Sequence, residues 1–480
     1  MKKMVIVGGG VAGLSAGIYG CLSGYECTVL EKNLHPGGNL TGWDRNGFHV
    51  DNCIHWLTGT LPGTELRRMW ETLGALSAEV PMCKTERLFG SELGGMSVSL
   101  WRDAERTREE MLSLAPFDRD SADRFISLAK LFGEGKMSPA LGLAALKYSK
   151  IDLFALSATF RHPLLRRVMT DYIPGDYVAL GLLMTYGAYI SGNADVPLGG
   201  SRAMAERMAK RFVSLGGRLV TGAEVSSVRL ENTKASGVIL QNGNYIPADW
   251  VVCACDPEVT FGRLLGRRYT PARLIRCAQN GDAYPLFSSF HAAFAAEGDV
   301  SALSNTAVFD VRPLRVGSEC IGRMALREYS SQPGFAPEGK SILQTMVFQR
   351  APDCEKWQSL ARDDRSAYLA EKERLGGELM TRAEERLGQK LTLLDTWTPA
   401  TYGRYFGANH GAYMCWAMVP GGRRRHVPNR IKGLDNVLLA TQWQEMPGGL
   451  PTAAAEGKLA AETAFSLDRP RKSLTRAAAM

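Results

Sequence analysis

With 480 residues, 45% of them hydrophobic and 22% charged, the chain is long enough for several domains with sizeable cores and is neither disordered nor collagen-like. The net charge of +8 comes from scattered basic residues with two loose clusters, Arg263/Arg267/Arg268/Arg273/Arg276 and Arg423/Arg424/Arg425/Arg430/Lys432. No aromatic-rich reading module accompanies them, which argues against a nucleic-acid partner and leaves solvated faces or contact with an anionic membrane surface.

The first strand, "MVIVGGG", begins at Met4 without a basic n-region or small-residue cleavage site, so a cytoplasmic protein is expected, with membrane association left open. Gly8, Gly10 and Gly13 form a G-x-G-x-x-G turn between that strand and the helix "VAGLSAGIYGCLSGY". Gly8 permits the tight turn, Gly10 lets the backbone approach a pyrophosphate, and Gly13 lets the helix pack close to the strand. The helix N-terminus offers N–H groups to the phosphates. Glu31 ends the second strand, "ECTVLEK", where a carboxylate accepts ribose hydroxyls and repels the 2′-phosphate of NADP. A second glycine pair, Gly37 and Gly38, follows six positions later, which a simple NAD fold does not need.

Residues 60 to about 190 read as helix-rich, with amphipathic stretches such as "TELRRMWETLGAL" and little strand signal. The longest uncharged run, 177–194, is broken by glycines and is not a membrane span. From Pro197 a helix bounded by glycines leads to the strand "RLVTGAEVSSVRL", a hairpin turning at Asn242-Gly243, and the buried strand "VVCACD". Its Cys253 and Cys255 have no Cys or His pair at ligand spacing, and ten cysteines in so long a chain do not make a disulfide framework; no metal is expected. Strands "LFSSFHAAF", "ECIGRMALREY" and "SILQTMVFQ" and one long charged helix over 355–387 fill the next section. The chain closes with a strand, a glycine turn, a small-residue helix and, after Asp468, a basic tail.

"EKNLHPGGNLTGWDRNGFHVD" resembles the segment that follows the second strand in the flavoprotein family of amine oxidases and carotenoid desaturases, with Glu31, Lys32, Gly37, Gly38, Gly47 and Asp51 matching. The chain departs from the pattern at Asn39, where an Arg is usual, and at Asn52-Cys53. "PLGGSRAMAERMAKRFVSLGGRLVTGAEVSSVRL" is similar to the family's middle motif, which implies that the main chain at Val225 pairs with adenine. "LLATQWQEMPGGLPTAAAEGKLAAETA" resembles the closing motif, which implies Gln442, Gly449, Leu450, Thr452 and Ala453 at the flavin. Three segments in this order imply FAD. The implied fold is α/β, a Rossmann-like FAD-binding domain of the glutathione-reductase and amine-oxidase type (1–60, 196–257 and 396–470). A helical cap (61–195), a mixed α+β substrate domain (258–395) and a tail (471–480) complete it.

"TPATYGRYFGANHGAYM" resembles the branch of carotenoid desaturases, carotenoid isomerases and retinol saturases, through Thr398, Pro399, Tyr402, Tyr405, Gly411 and Tyr413. The resemblance implies hydride exchange between flavin N5 and carbon–carbon bonds of a hydrophobic polyene or lipid-like substrate, by desaturation, saturation or isomerisation. A flavin amine oxidase is the alternative, although the last strand reads Ala440-Thr441-Gln442 without the usual Glu. A non-catalytic lipid-binding escort protein of the same fold is a further one, set against an intact closing motif. Stretches 177–190 and 411–418 are expected to line an apolar tunnel. His55 is the candidate acid–base residue, because a histidine titrates near neutrality; His410 and Tyr413 are the others. No second dinucleotide motif marks an NAD(P)H domain, and the electron donor or acceptor is open.

Overall fold

Five short apolar strands form a parallel sheet in the order Val437–Leu439, Trp250–Cys253, Lys3–Val7, Glu26–Leu30, Arg218–Val220. The computed structural model describes residues 1–423 and 426–469, so Arg424, Arg425 and nearly all of the basic tail lie outside the described residues. The strands are apolar on both faces because both faces are covered. Met4, Ile6 and Val252 pack against the helices Val11–Leu22, Gly200–Ser214 and Gly449–Asp468. Val5, Val7 and Val251 point the other way, onto the antiparallel sheet Val225–Glu231, Lys234–Leu240, Tyr245–Pro247. The expected turn at Asn242-Gly243 joins the last two of these strands, with Gly243 at φ +85. "RLVTGAEVSSVRL" is two strands rather than one: Arg218–Val220 stays in the parallel sheet and Val225–Glu231 enters the antiparallel one, with Gly222 at φ +65 between them.

A seven-stranded sheet stands beside this unit, in the order Leu391–Trp397, Phe287–Glu297, Lys340–Arg350, Glu319–Glu328, Thr306–Val316, Arg87–Leu93, Met96–Trp101. The last two strands correct the reading of residues 60–190 as strand-poor. They pair antiparallel across Gly94-Gly95, both at positive φ, which is the hairpin signal that was available in "ELGGMSV". The charged stretch 355–387 is two helices, Ala351–Asp363 and Arg365–Leu387; the break is at Asp364, whose carboxylate accepts the Ala367 N–H at 2.9 Å as a new N-cap.

The cap packs Arg119–Glu134 against Ala179–Ile190, with Phe125 and Tyr186 stacked at 5.6 Å between centroids. No helix among the described residues is long and apolar enough to cross a membrane.

Candidate active site

One cavity of about 1910 Å³ runs from the glycine turn, past the seven-stranded sheet, to the helical cap. That exceeds the roughly 300–1,000 Å³ of a pocket for one small molecule, so two ligands fit end to end.

At the turn end, Gly8 adopts φ +106, and a Cβ there would meet the Ala254 carbonyl oxygen at 2.9 Å. Gly13 does not reach the cavity; a Cβ there would lie 1.9 Å from the Gly8 oxygen, so its absence lets the helix pack this close to the strand. Gly10 differs. A Cβ there meets nothing nearer than the Gly37 oxygen and Gly38 Cα, both at 3.9 Å, and it would project into open cavity. The protein therefore does not need that space for itself, which is the signature of a ligand that approaches the backbone. Gly37 donates its N–H to the Gly9 oxygen at 2.8 Å and, at φ +122, holds the second glycine loop against the turn, so Gly38 also lines the cradle. Glu31 is fixed by the Gly9 and Asn33 N–H groups, each 2.8 Å from one carboxylate oxygen. It lines the cavity with Val225 beyond it.

Several predicted contacts serve to stitch the chain together. Lys32 donates to the Arg404 oxygen at 2.9 Å and the Asn33 amide to the Tyr405 oxygen at 2.8 Å. The Asn39 amide donates to the Tyr413 oxygen at 3.0 Å, while its Oδ1 is buried without a protein partner. The glycine loop and the aromatic segment 402–413, far apart in sequence, are one wall. Gln442 lines the cavity, but its Oε1 accepts the Gly449 N–H at 2.9 Å and caps the closing helix. The Gly448 N–H goes to the Glu445 oxygen, and Pro451 has none. The Leu450 N–H is thus the first-turn donor left for a ligand, with Gly449, Thr452 and Ala453 beside it in the wall.

The three acid–base candidates fare differently. His55 lines the cavity, but burial and the Arg327 charge push its imidazole down to about 3. It is neutral near pH 7, so any proton transfer at His55 there starts from the neutral imidazole. His410 lies outside the cavity, 41% exposed and 3.7 Å from Glu355; the structure does not bring it to the site. Tyr413 is in the wall, and its hydroxyl donates to the Cys53 oxygen at 3.3 Å; burial holds the phenol well above its ordinary value, so it stays protonated.

Two groups escaped sequence reading. His291, buried and stacked on Trp397 at 4.5 Å, shares Nε2 with Ser289 Oγ (2.7 Å) and Tyr402 OH (3.1 Å); Tyr402 in turn donates to Asn52 Oδ1 at 3.2 Å. The second group is Arg327 and Gln344, on paired strands, with Tyr172 from the loop after the helix Pro163–Thr170. Neither carries a local motif. The expected tunnel is present: Leu180, Met184 and Ala188 of the cap helix and Met414 and Met418 of the closing loop line it. No cluster of three metal-ligating side chains occurs among the described residues, and all ten cysteines are free thiols.

Residues 11–464 match the family of flavin-containing amine oxidoreductases. The chain belongs to that family. Among curated relatives of this flavin-containing amine oxidoreductase, a chloroplastic prolycopene isomerase of Daucus carota is 25% identical over 452 residues, covering 85% of this chain and 71% of that protein. A neurosporene-forming phytoene desaturase of Rhodobacter capsulatus is 22% identical over 518 residues, covering 98% and 95%. A solved oxidoreductase from Methanosarcina mazei superposes with a TM-score of 0.61 at 17% identity over 96% of this chain and all of that one. Cyclohexylamine oxidase from Brevibacterium oxydans gives 0.58 at 15%, over 98% of this chain and 100% of that one. The open space at Gly10, the anchored carboxylate of Glu31 and the orphaned Asn39 oxygen fit a dinucleotide flavin, and FAD is the cofactor.

One titration belongs to the closing helix of this oxidoreductase. Burial, with Glu445 nearby, pushes the Glu456 carboxyl up to about 7, and its Oε2 has no partner. The folded state therefore holds a proton that the unfolded state releases above its ordinary value of 4.5; the associated stability is full below 4.5 and lost as pH rises through about 7. Glu456→Gln is expected to raise stability by about 2 kcal/mol at pH 8 and to leave it unchanged at pH 4.5. Denaturant unfolding at both pH values checks this, and an equal effect at both refutes it.

Proposed function

We propose that the protein is an FAD-dependent oxidoreductase that desaturates, saturates or isomerises carbon–carbon bonds of an apolar polyene or lipid-like substrate. The observation that carries this reading is the continuity of the cavity: a dinucleotide cradle at one end opens directly into a space walled by Leu180, Met184, Met414 and Met418. Bound flavin supplies hydride exchange at carbon. The residues of the chain do the rest. The cap excludes water, the Met and Leu side chains align a long apolar chain, and the network Ser289–His291–Tyr402–Asn52 holds the wall in which Asn39 and Tyr413 stand. The relatives named for prolycopene isomerisation and phytoene desaturation support the polyene class. An amine substrate is disfavoured by charge, because a protonated amine entering the cavity meets the guanidinium of Arg327, which no carboxylate neutralises.

The mouth supports delivery from a lipid surface. Met137, Phe154 and Met184 line the cavity and are also 88%, 58% and 48% exposed, with Leu143 and Leu146 beside them and exposed Lys136, Lys147 and Lys150 around the patch. The test is anaerobic mixing of the flavin-loaded protein with polyenes carried in anionic or neutral vesicles, and separately with amines. New double-bond isomers or oxidation states of the polyene are expected, formed faster from anionic vesicles. Flavin bleaching by amines alone would overturn the reading.

A further inference from the structure

The strand Glu319–Glu328 lines the cavity along most of its length, and three arginines of this sheet stand in the wall: Arg323 and Arg327 on this strand and Arg350 on its neighbour. Two are neutralised. Arg323 pairs with Asp171 and Asp310, each at 2.6 Å, and Arg350 with Asp176 at 2.8 Å. Arg327 has no carboxylate within ion-pair distance among the described residues. Its Nη1 donates to the His55 carbonyl oxygen at 3.0 Å, and its Nε–H is buried without any partner.

The groups around it are also incomplete. Gln344 lies directly across the strand pair from Arg327; its Oε1 accepts the Tyr329 hydroxyl at 2.7 Å, and its Nε2 is a buried donor with no acceptor. Tyr172, stacked on Phe89 at 4.8 Å and beside Trp56, has a buried hydroxyl with no partner; burial pushes it up to about 12, against the pull of the Arg327 charge, so it remains a donor. Three buried, unpaired donors, two on adjacent strands and one on the loop after the helix Pro163–Thr170, thus belong to residues of the cavity wall. Leaving one such group unpaired costs about 1–3 kcal/mol, more for a charged one, so a site built with three is built for an acceptor. With Nη1 committed to His55, the guanidinium keeps further N–H donors of the kind that pair with a carboxylate.

We propose that Arg327, Tyr172 and Gln344 form a station for the carboxylate of a long unsaturated chain, so that the preferred substrate is an unsaturated acid and not a bare hydrocarbon. The assignment rests on the C–C oxidoreductase reading above and narrows its substrate class. It is tested on the flavin-loaded enzyme by titrating arachidonate, its methyl ester and the corresponding alcohol, and following the flavin absorption shift on binding. Arachidonate is expected to bind at least about tenfold more tightly than the ester. Arg327→Met should weaken arachidonate by roughly ten- to a hundredfold and leave the ester within about twofold, and Arg327→Lys should restore part of the selectivity. A merely structural Arg327 would move all three ligands together, and equal affinities in the wild type would overturn the station outright. If Arg327→Met alters the unliganded flavin spectrum while selectivity is unchanged, the guanidinium serves the cofactor and the proposal fails. Product analysis separates this from the parent reading: selective binding without double-bond chemistry refutes the parent, whereas conversion of hydrocarbon polyenes without carboxylate selectivity refutes only the station.

Discussion

Gly10→Val is expected to give a folded, colourless protein, whereas Gly13→Val is expected not to fold. Both residues belong to one glycine turn, and both substitutions add the same side chain. Gly10 has φ −73 and ψ −176, an ordinary extended conformation, and its added Cβ would find no protein atom closer than 3.9 Å. The valine side chain would occupy the gap through which the pyrophosphate reaches the backbone, so retention of flavin should fall at least about a hundredfold while melting of the apoprotein changes little. At Gly13 the added Cβ would lie 1.9 Å from the Gly8 oxygen, a backbone atom that cannot turn aside. Visible spectra and thermal unfolding of the two variants decide the matter. A yellow Gly10→Val protein would remove the cofactor from this turn.

Asp51→Ala should cost about 3–5 kcal/mol and loosen the cofactor without touching the cavity wall. Asp51 ends the strand Phe48–Asp51, and its carboxylate accepts the Ser201 N–H and Ser201 hydroxyl, each at 2.6 Å, and the Cys53 N–H at 3.2 Å. Ser201 Oγ accepts the Ile54 N–H at 2.9 Å. One buried side chain therefore caps the helix Gly200–Ser214 and shapes the loop that carries Asn52, Cys53 and His55. Alanine strands these donors away from water. Asp51→Asn keeps an acceptor oxygen and should recover about half of the loss. Denaturant unfolding of the apoprotein, paired with flavin affinity, measures both effects. An Asp51→Ala variant within about 1 kcal/mol of wild type would show that the helix and loop are held by other contacts.

The cofactor end of the site was legible in the sequence because its requirements are local. A backbone that must approach a ligand, or turn at positive φ, needs glycine at a set spacing, and Gly8, Gly10, Gly37, Gly38 and Gly449 report that directly. The hairpin at 87–101 carries a local signal in its Gly94-Gly95 turn, but the helical periodicity of the surrounding stretch outweighs it in the sequence. His55 and His410 are candidates by residue type and by their place on the loops after Asp51 and before Tyr413. Burial and the charge of Arg327 keep the first neutral, and the second, in its turn at the segment's surface, faces Glu355 and solvent.

The sequence by itself determined the α/β class, the FAD cofactor and the order of the three cofactor segments. The surplus glycines in "EKNLHPGGNLTGWD" proved to be a second loop laid against the first, with Asn39 tied to Tyr413 across 374 positions. Tertiary structure alone decided which polar groups share the substrate end. Arg327, Tyr172 and Gln344 join one cavity wall through strand register and cap packing, so no short-range spacing encodes their placement, and only the folded chain reveals that their donors are unspent.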